Sequence, residues 1–102
     1  MANYRAVLIT PHGKVFDDDV VSLVAPGAQG AFGVLARHTP FVANLKKGVL
    51  KLTQGQGENL FAIGSGVLEI NNKHDVLILS TAALQAKNIE EAEEKMKTIE
   101  AI

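Results

Sequence analysis

The chain has 102 residues, enough for one domain with a single core. Its net charge of −1, without a basic block and with 5% aromatic residues, leaves no electrostatic or base-stacking footprint for nucleic acid. The absence of cysteine excludes a disulfide framework and thiolate metal sites, and no apolar run reaches the ~20 residues that span a bilayer.

The N-terminus, MANYRAVLIT, has no long apolar stretch and no small-residue cleavage site, so it does not read as a signal peptide. Residues 4–10, YRAVLIT, are β-branched and apolar and end at Pro11-His12-Gly13, which predicts a strand and a turn. Lys14 to Ala25 reads as a longer strand region that bends at Asp17-Asp18-Asp19. In its second part Val21, Leu23 and Ala25 share one face, and Val20, Ser22 and Val24 the other. Pro26-Gly27 stops it.

The next stretch, Gly27 to Pro40, is rich in glycine yet contains Phe32, Val34 and Leu35. A flexible loop would be polar between its breakers. The pattern predicts a turn, a very short strand and a second turn, with the tip held down by Phe32 and Val34. Loops fixed in this way present residues to a partner or ligand.

Phe41 to Leu45 reads as a short strand, turned by Lys46-Lys47-Gly48. Val49 to Thr53 and Asn59 to Ile63 form a hairpin around the polar Gln54-Gly55-Gln56-Gly57. Gly64-Ser65-Gly66 marks a kink before Val67 to Ile70. Asn71-Asn72-Lys73-His74 turns into a last strand, Asp75 to Ser80. Val76 to Leu79 are apolar without alternation, the pattern of a strand buried on both sides. Short strands with frequent turn signals predict a mainly β fold, an antiparallel sandwich or barrel. The predicted core is Val7, Ile9, Val21, Leu23, Leu50, Leu52, Phe61, Ile63, Leu68, Val76 and Ile78. The period then changes. Ile89, Ala92, Met96 and Ile99 form one helical stripe, with Asn88 as N-cap, Glu91 at the capping-box position, and Glu91–Lys95 and Glu93–Lys97 as acid-first pairs.

In this order the motifs resemble the epsilon subunit of the F-type ATP synthase, the counterpart of the mitochondrial delta subunit. Thr10 to Phe16 resembles that family's first turn. Val24-Ala25-Pro26-Gly27, Gly30-Ala31-Phe32-Gly33-Val34-Leu35 and His38-Thr39-Pro40 resemble its signature loop. Lys47-Gly48-Val49-Leu50 resembles the next turn, and Gly64-Ser65-Gly66-Val67-Leu68-Glu69-Ile70 its paired-glycine strand. The resemblance implies an antiparallel β-sandwich over 1–84 and a single C-terminal α-helix over 85–102, the second helix of the family hairpin being absent. It implies a non-catalytic rotor part that couples the gamma subunit to the membrane c ring of a proton-translocating enzyme. The chain would then reach the membrane only through the complex, at the cytoplasmic face of the bacterial plasma membrane. The interface residues implied are Gly30, Ala31, Phe32, Gly33, Val34, Leu35, Arg37, His38, Thr39, Pro40 and Phe41. The alternative function is a stand-alone sandwich that binds an unrelated partner.

The chain departs from the family pattern at two places in the loop. Ala31 stands where an acidic residue is frequent, and Ala36-Arg37 where Pro-Gly is frequent. ATP-binding members carry an Ile-Asp-x-x-Arg-Ala pattern in the first helix. Here Ile89-Glu90 is followed by Glu93 and Glu94, carboxylates that would repel a triphosphate, so no ATP site is expected.

Other chemistry finds little support. His38 has no second ligand nearby in sequence, so a metal role is not expected. Asp17 to Asp19 lack further oxygen ligands at calcium-loop spacing and read as a solvated bend. Gly27, Gly30 and Gly33 precede no helix with Lys-Ser or Lys-Thr, which excludes a phosphate loop. Ser65 lies between glycines, but Ile63 breaks the nucleophile-elbow pattern. His12 and His74 sit in separate turns. No cofactor is expected.

Overall fold

The computed structural model describes residues 2 to 99. Ten strands form one strongly curved sheet: β1 Tyr4–Thr10, β2 Gly13–Val20, β3 Ser22–Gly27, β4 Gly30–Leu35, β5 Phe41–Leu45, β6 Gly48–Gln54, β7 Gly57–Ile63, β8 Gly66–Ile70, β9 Val76–Ser80 and β10 Ala83–Ala86. A helix, α1, covers Ile89–Met96. The strand order is β10-β7-β6-β3-β5-β8-β9-β1-β2, with β4 on β3. The link between β3 and β5 is a single pairing, Gly27 with Leu45. The sheet therefore folds there into two facing halves, β10-β7-β6-β3-β4 and β5-β8-β9-β1-β2, and the fold is the expected β-sandwich with one C-terminal helix. All pairs are antiparallel except β1 with β9, which is parallel.

The core lies between the halves. It contains Tyr4, Ala6 and Leu8 from β1, Leu23 and Ala25 from β3, Leu50 and Leu52 from β6, Phe61 and Ile63 from β7, Leu68 from β8, and Val76 and Ile78 from β9. Every second residue of each strand points inward, as the pleat requires. This corrects two predicted core positions, Ile9 and Val21, while Val7 is buried as predicted but outside the main cluster. Val7 and Ile9 lie on the outer face of β1, since the small Ala6 and the tyrosine Tyr4 take the inner one with Leu8. Val21 falls in the break between β2 and β3 and is only half-buried.

Other expectations are corrected as well. Asp17 to Asp19 are no bend: they stay in β2, paired with β1 from Asp17↔Val7 to Asp19↔Arg5. The irregularity lies earlier in β2, where Val15 is the extra residue: Leu8 pairs with Phe16 and Ile9 with Lys14. The segment after Gly27 holds a six-residue strand rather than a very short one. Val76 to Leu79 is not buried on both sides, for Leu79 is 47% exposed. Gly66 explains how close this strand lies to β8. A Cβ on Gly66 would collide with the carbonyl of Leu79, so only glycine fits there.

β10 was not foreseen. It pairs with β7 from Ala83↔Ile63 to Ala86↔Leu60 and leads directly into α1. Asn88 caps the helix, its side-chain oxygen accepting the Glu91 N–H at 2.8 Å, as predicted. Glu91 reaches back one residue further than a capping box requires, accepting from the Lys87 N–H at 3.3 Å. The Glu91–Lys95 pair forms at 3.1 Å; Glu93–Lys97 is not among the ion pairs of the described residues. Ala92 packs on Leu60, Ala86 and Val49, the outer face of β6, β7 and β10. Ile89, expected in the buried stripe, is 50% exposed. Lysines fix the helix at two further points: Lys95 Nζ donates to the Gln85 carbonyl at 2.7 Å, and Lys47 Nζ to that of Ile99 at 3.1 Å. Residues 100 to 102 of the predicted helix lie outside the described residues. No helix among the described residues is long and apolar enough to cross a membrane.

Candidate partner interface

The hairpin of β3 and β4 is closed by Ala28 and Gln29, with Gly27 paired to Gly30. Gly30 adopts φ +130°, open to glycine alone. Gly27 is needed for space, since a Cβ there would lie 2.6 Å from the Gly30 carbonyl oxygen and 2.8 Å from the Phe32 ring. Two side chains pin β4 from inside. Val34 is buried in the core, and Phe32 packs against it. The Tyr4 hydroxyl, itself buried, donates to the Val34 carbonyl at 2.7 Å. Burial pushes the Tyr4 phenol above its ordinary pKa, so it holds its proton and stays a donor.

The chain then turns at Ala36 to Pro40. The His38 N–H donates to the Leu35 carbonyl at 3.3 Å. Arg37 takes a left-handed φ of 66°. The His38 ring donates through Nδ1 to the Thr39 carbonyl at 2.9 Å, the proton being assigned from the acceptor-only partner. That ring also leans on Phe41, centroids 5.3 Å apart, and Phe41 meets Phe32 edge to face at 5.6 Å. His74, from the β8–β9 turn, donates through Nδ1 to the His38 carbonyl at 3.0 Å. The structure thus joins two of the three histidines through the backbone, and leaves His12 on another side. Among the described residues no group of three or more His, Asp or Glu side chains could hold a metal ion.

Of the eleven expected residues, eight reach the surface. Gly30, Ala31, Gly33, Leu35, Arg37, Thr39, Pro40 and Phe41 are exposed; Phe32 and His38 are half-buried struts; Val34 is a core anchor. Leu35 is 69% exposed, a large apolar side chain offered to solvent on an ordered strand. An open groove of about 470 Å³ lies beside the hairpin tip, lined by residues 27–32 and 41–44.

A second apolar surface was missed. On the outer face of β8, β9 and β1, Val67, Leu79 and Ile9 stand side by side in register. Beside them Val42 of β5, 65% exposed, pairs with Glu69. A groove of about 410 Å³ runs along Ile9, Pro11, Gly66, Val67 and Leu79. The signal was present in the unbroken apolar run of β9, which fits a partner-facing outer side as well as a buried one. Charge sits at the rim of this face. Arg5 donates through Nε and Nη2 to both oxygens of Asp17 at 2.8 Å, and Lys14 Nζ to Asp17 at 2.8 Å. Hydrogen bonds from Arg5 and then Lys14 hold the Asp17 carboxyl well below the usual carboxylate range.

The model of the ATP synthase delta/epsilon chain β-sandwich domain matches residues 3–86. The ATP synthase epsilon chain of Sulfurovum sp. (strain NBC37-1) is 37% identical over 101 residues, covering 91% of this chain and 79% of that one. The sodium ion specific epsilon chain of Propionigenium modestum is 36% identical over 90 residues, covering 88% of this chain; this chain spans 65% of that relative. In fold, the chain is similar to one in the mitochondrial ATP synthase of Euglena gracilis, resolved with its F1 part and c-ring. The TM-score is 0.79 at 23% identity, over 96% of this chain and 62% of the other.

Proposed function

The chain belongs to the delta/epsilon family of ATP synthase subunits, and we propose that it is a non-catalytic central-stalk part that makes the gamma subunit and the c ring turn together. The family match over residues 3–86 carries this reading, and the geometry supports it. Transmitting torque needs a body that does not shear. Here ten strands close over a core of fully buried side chains, and close-packed interiors pass strain on with little compression. It also needs grip on two neighbours. Leu35 and Val24 are exposed on the outer face of one half, and Val42, Val67 and Leu79 on that of the other, so apolar surface is offered in two directions.

In this proposal Gly30 to Leu35 and Arg37 to Phe41 meet gamma or the c ring. The chain works at the cytoplasmic face of a bacterial plasma membrane, held there by its neighbours. Protons are taken as the coupling ion, which ATP synthesis that is driven by a proton gradient and indifferent to sodium would support. The chain itself holds no ATP: Glu90, Glu93 and Glu94 are exposed carboxylates on α1 that would repel a triphosphate.

The test is size exclusion of the chain with the gamma subunit of its own organism, beside an Arg37→Glu, His38→Ala variant. A complex that weakens in the variant supports the stalk reading with the loop on gamma. An equally tight complex keeps the stalk reading and moves the loop to the c ring. No complex with either would favour a stand-alone binding module.

A further inference from the structure

The sandwich has four strand edges, β10 and β4 on one half and β5 and β2 on the other, and two of them are guarded. At one end β2 carries Lys14 and Asp17 to Asp19, charges that discourage a further strand. At the other, β10 is four residues long and its Gln85 carbonyl is taken by Lys95. Of the other two, β5 is tied to the end of β3 by the Ala28 N–H to Asn44 carbonyl and Lys46 N–H to Pro26 carbonyl bonds, both 2.9 Å, whereas β4 has neither charge nor such a tie. Its sequence, GAFGVL, has no charge and no proline, and it pairs with β3 alone.

The register says which groups are free. A two-residue hairpin closes on a hydrogen-bonded pair, here Gly27 with Gly30, so Phe32 and Val34 also bond inward to β3. Ala31, Gly33 and Leu35 then direct their N–H groups outward, as do the carbonyls of Ala31 and Gly33; the Leu35 carbonyl is taken by His38. Among the described residues, no hydrogen bond satisfies these five groups. Gly33 is not required by the strand itself: an added Cβ would meet only the Leu23 carbonyl, at an ordinary 3.6 Å. The strand is held still by Phe32, Val34 and Tyr4, so little order remains to be gained on binding.

We infer that the free edge of β4 recognises its partner by strand addition: an extended, uncharged segment pairs with Ala31 to Leu35 and lays apolar side chains beside Leu35. This rests on the stalk reading and names its mode of contact. The donor is the gamma subunit rather than the c ring, because a ring that spans the membrane crosses it with helices or a closed barrel and has no free strand to give in the bilayer.

The test is backbone amide exchange of the full chain, free and in complex with gamma, with three variants. Ala31→Lys leaves every backbone group in place and sets a charge on the edge. Gly33→Pro removes one outward donor, a position where an edge strand tolerates proline. Gly33→Ala keeps the donor and is the control. Strand addition predicts that the Ala31, Gly33 and Leu35 amides become protected in the complex. It also predicts about tenfold weaker binding for Ala31→Lys and Gly33→Pro, with Gly33→Ala near the parent. A complex in which those amides exchange as in the free chain, or in which Ala31→Lys binds as tightly, overturns strand addition and leaves the stalk reading standing. Absence of any complex overturns both.

Discussion

Replacing Tyr4 by phenylalanine tests whether β4 is held as argued. The ring stays in the core, where Tyr4 is 6% exposed, so no cavity forms and only the hydroxyl goes. What is lost is a 2.7 Å hydrogen bond from β1 to the Val34 carbonyl across 30 residues of sequence. That carbonyl keeps its ladder partner in β3, so the penalty for an orphaned acceptor does not apply. The cost is then one hydrogen bond, about 1 kcal/mol. For a domain of this size it lowers Tm by roughly 4–8 °C. A second signature separates this from a packing effect. Because the folded-state pKa of Tyr4 is raised, the folded protein keeps a proton that the unfolded chain releases above about pH 10. The parent is therefore fully stabilised below that pH and loses stability above it, by up to about 1.4 kcal/mol per pH unit. Tyr4→Phe removes this limb. Tyr4 is the chain's one tyrosine, so tyrosinate absorbance reads its titration directly. Thermal melts from neutral to alkaline pH check both effects. An unchanged Tm together with an alkaline limb as steep as the parent's would refute the argument.

Three other substitutions probe separate parts. Gly66→Ala drives a methyl into the Leu79 carbonyl and should cost about 3 kcal/mol or leave the chain unfolded, read by urea titration. Asp17→Asn should flatten the acid side of the stability curve. The lowered pKa of Asp17 gives stability that is present above the unfolded carboxylate pKa of about 3.9 and is lost as pH falls below it. High salt should shrink that difference, since the pair with Arg5 and Lys14 is exposed. Arg37→Gly relieves a left-handed φ of 66°, offset by the freedom glycine adds to the unfolded chain, so stability should hold or rise by up to about 1 kcal/mol in denaturant titrations.

Local signals made much of the fold legible. Pro40 and Lys46 bracket β5 so closely that Phe41–Leu45 could be read directly, and Asn88 announces the start of α1. The features that were missed depend on distant partners. β10, ALQA, has no β-branched residue, and it is a strand because β7 offers an edge beside it. Val7 and Ile9 outrank Ala6 in hydrophobicity, yet the pairing with β9 and β2 sets Ala6 and Leu8 inward. The parallel pairing of β1 with β9 joins residues about 70 apart, and no local pattern encodes it.

The candidate site was legible as a segment and opaque as a surface. Glycines and His38-Thr39-Pro40 marked Gly30 to Phe41 as a shaped loop. Arg37 fills a left-handed site, φ 66°, which its residue type does not announce. The free edge of β4 was hidden, because a six-residue strand looks the same in sequence whether it has one neighbour or two. The outer row of Ile9, Val67 and Leu79 was hidden for a similar reason: an apolar run in β9 does not say which side meets protein and which meets water.

The central claim is that this sandwich binds two neighbours at once. It is tested most directly by immobilising the detergent-solubilised c ring of the same organism and measuring how much gamma subunit it retains with and without the chain. The account predicts that retention of gamma rises as the chain is added and falls again with the Arg37→Glu, His38→Ala variant. Retention of gamma that is the same with and without the chain would contradict it.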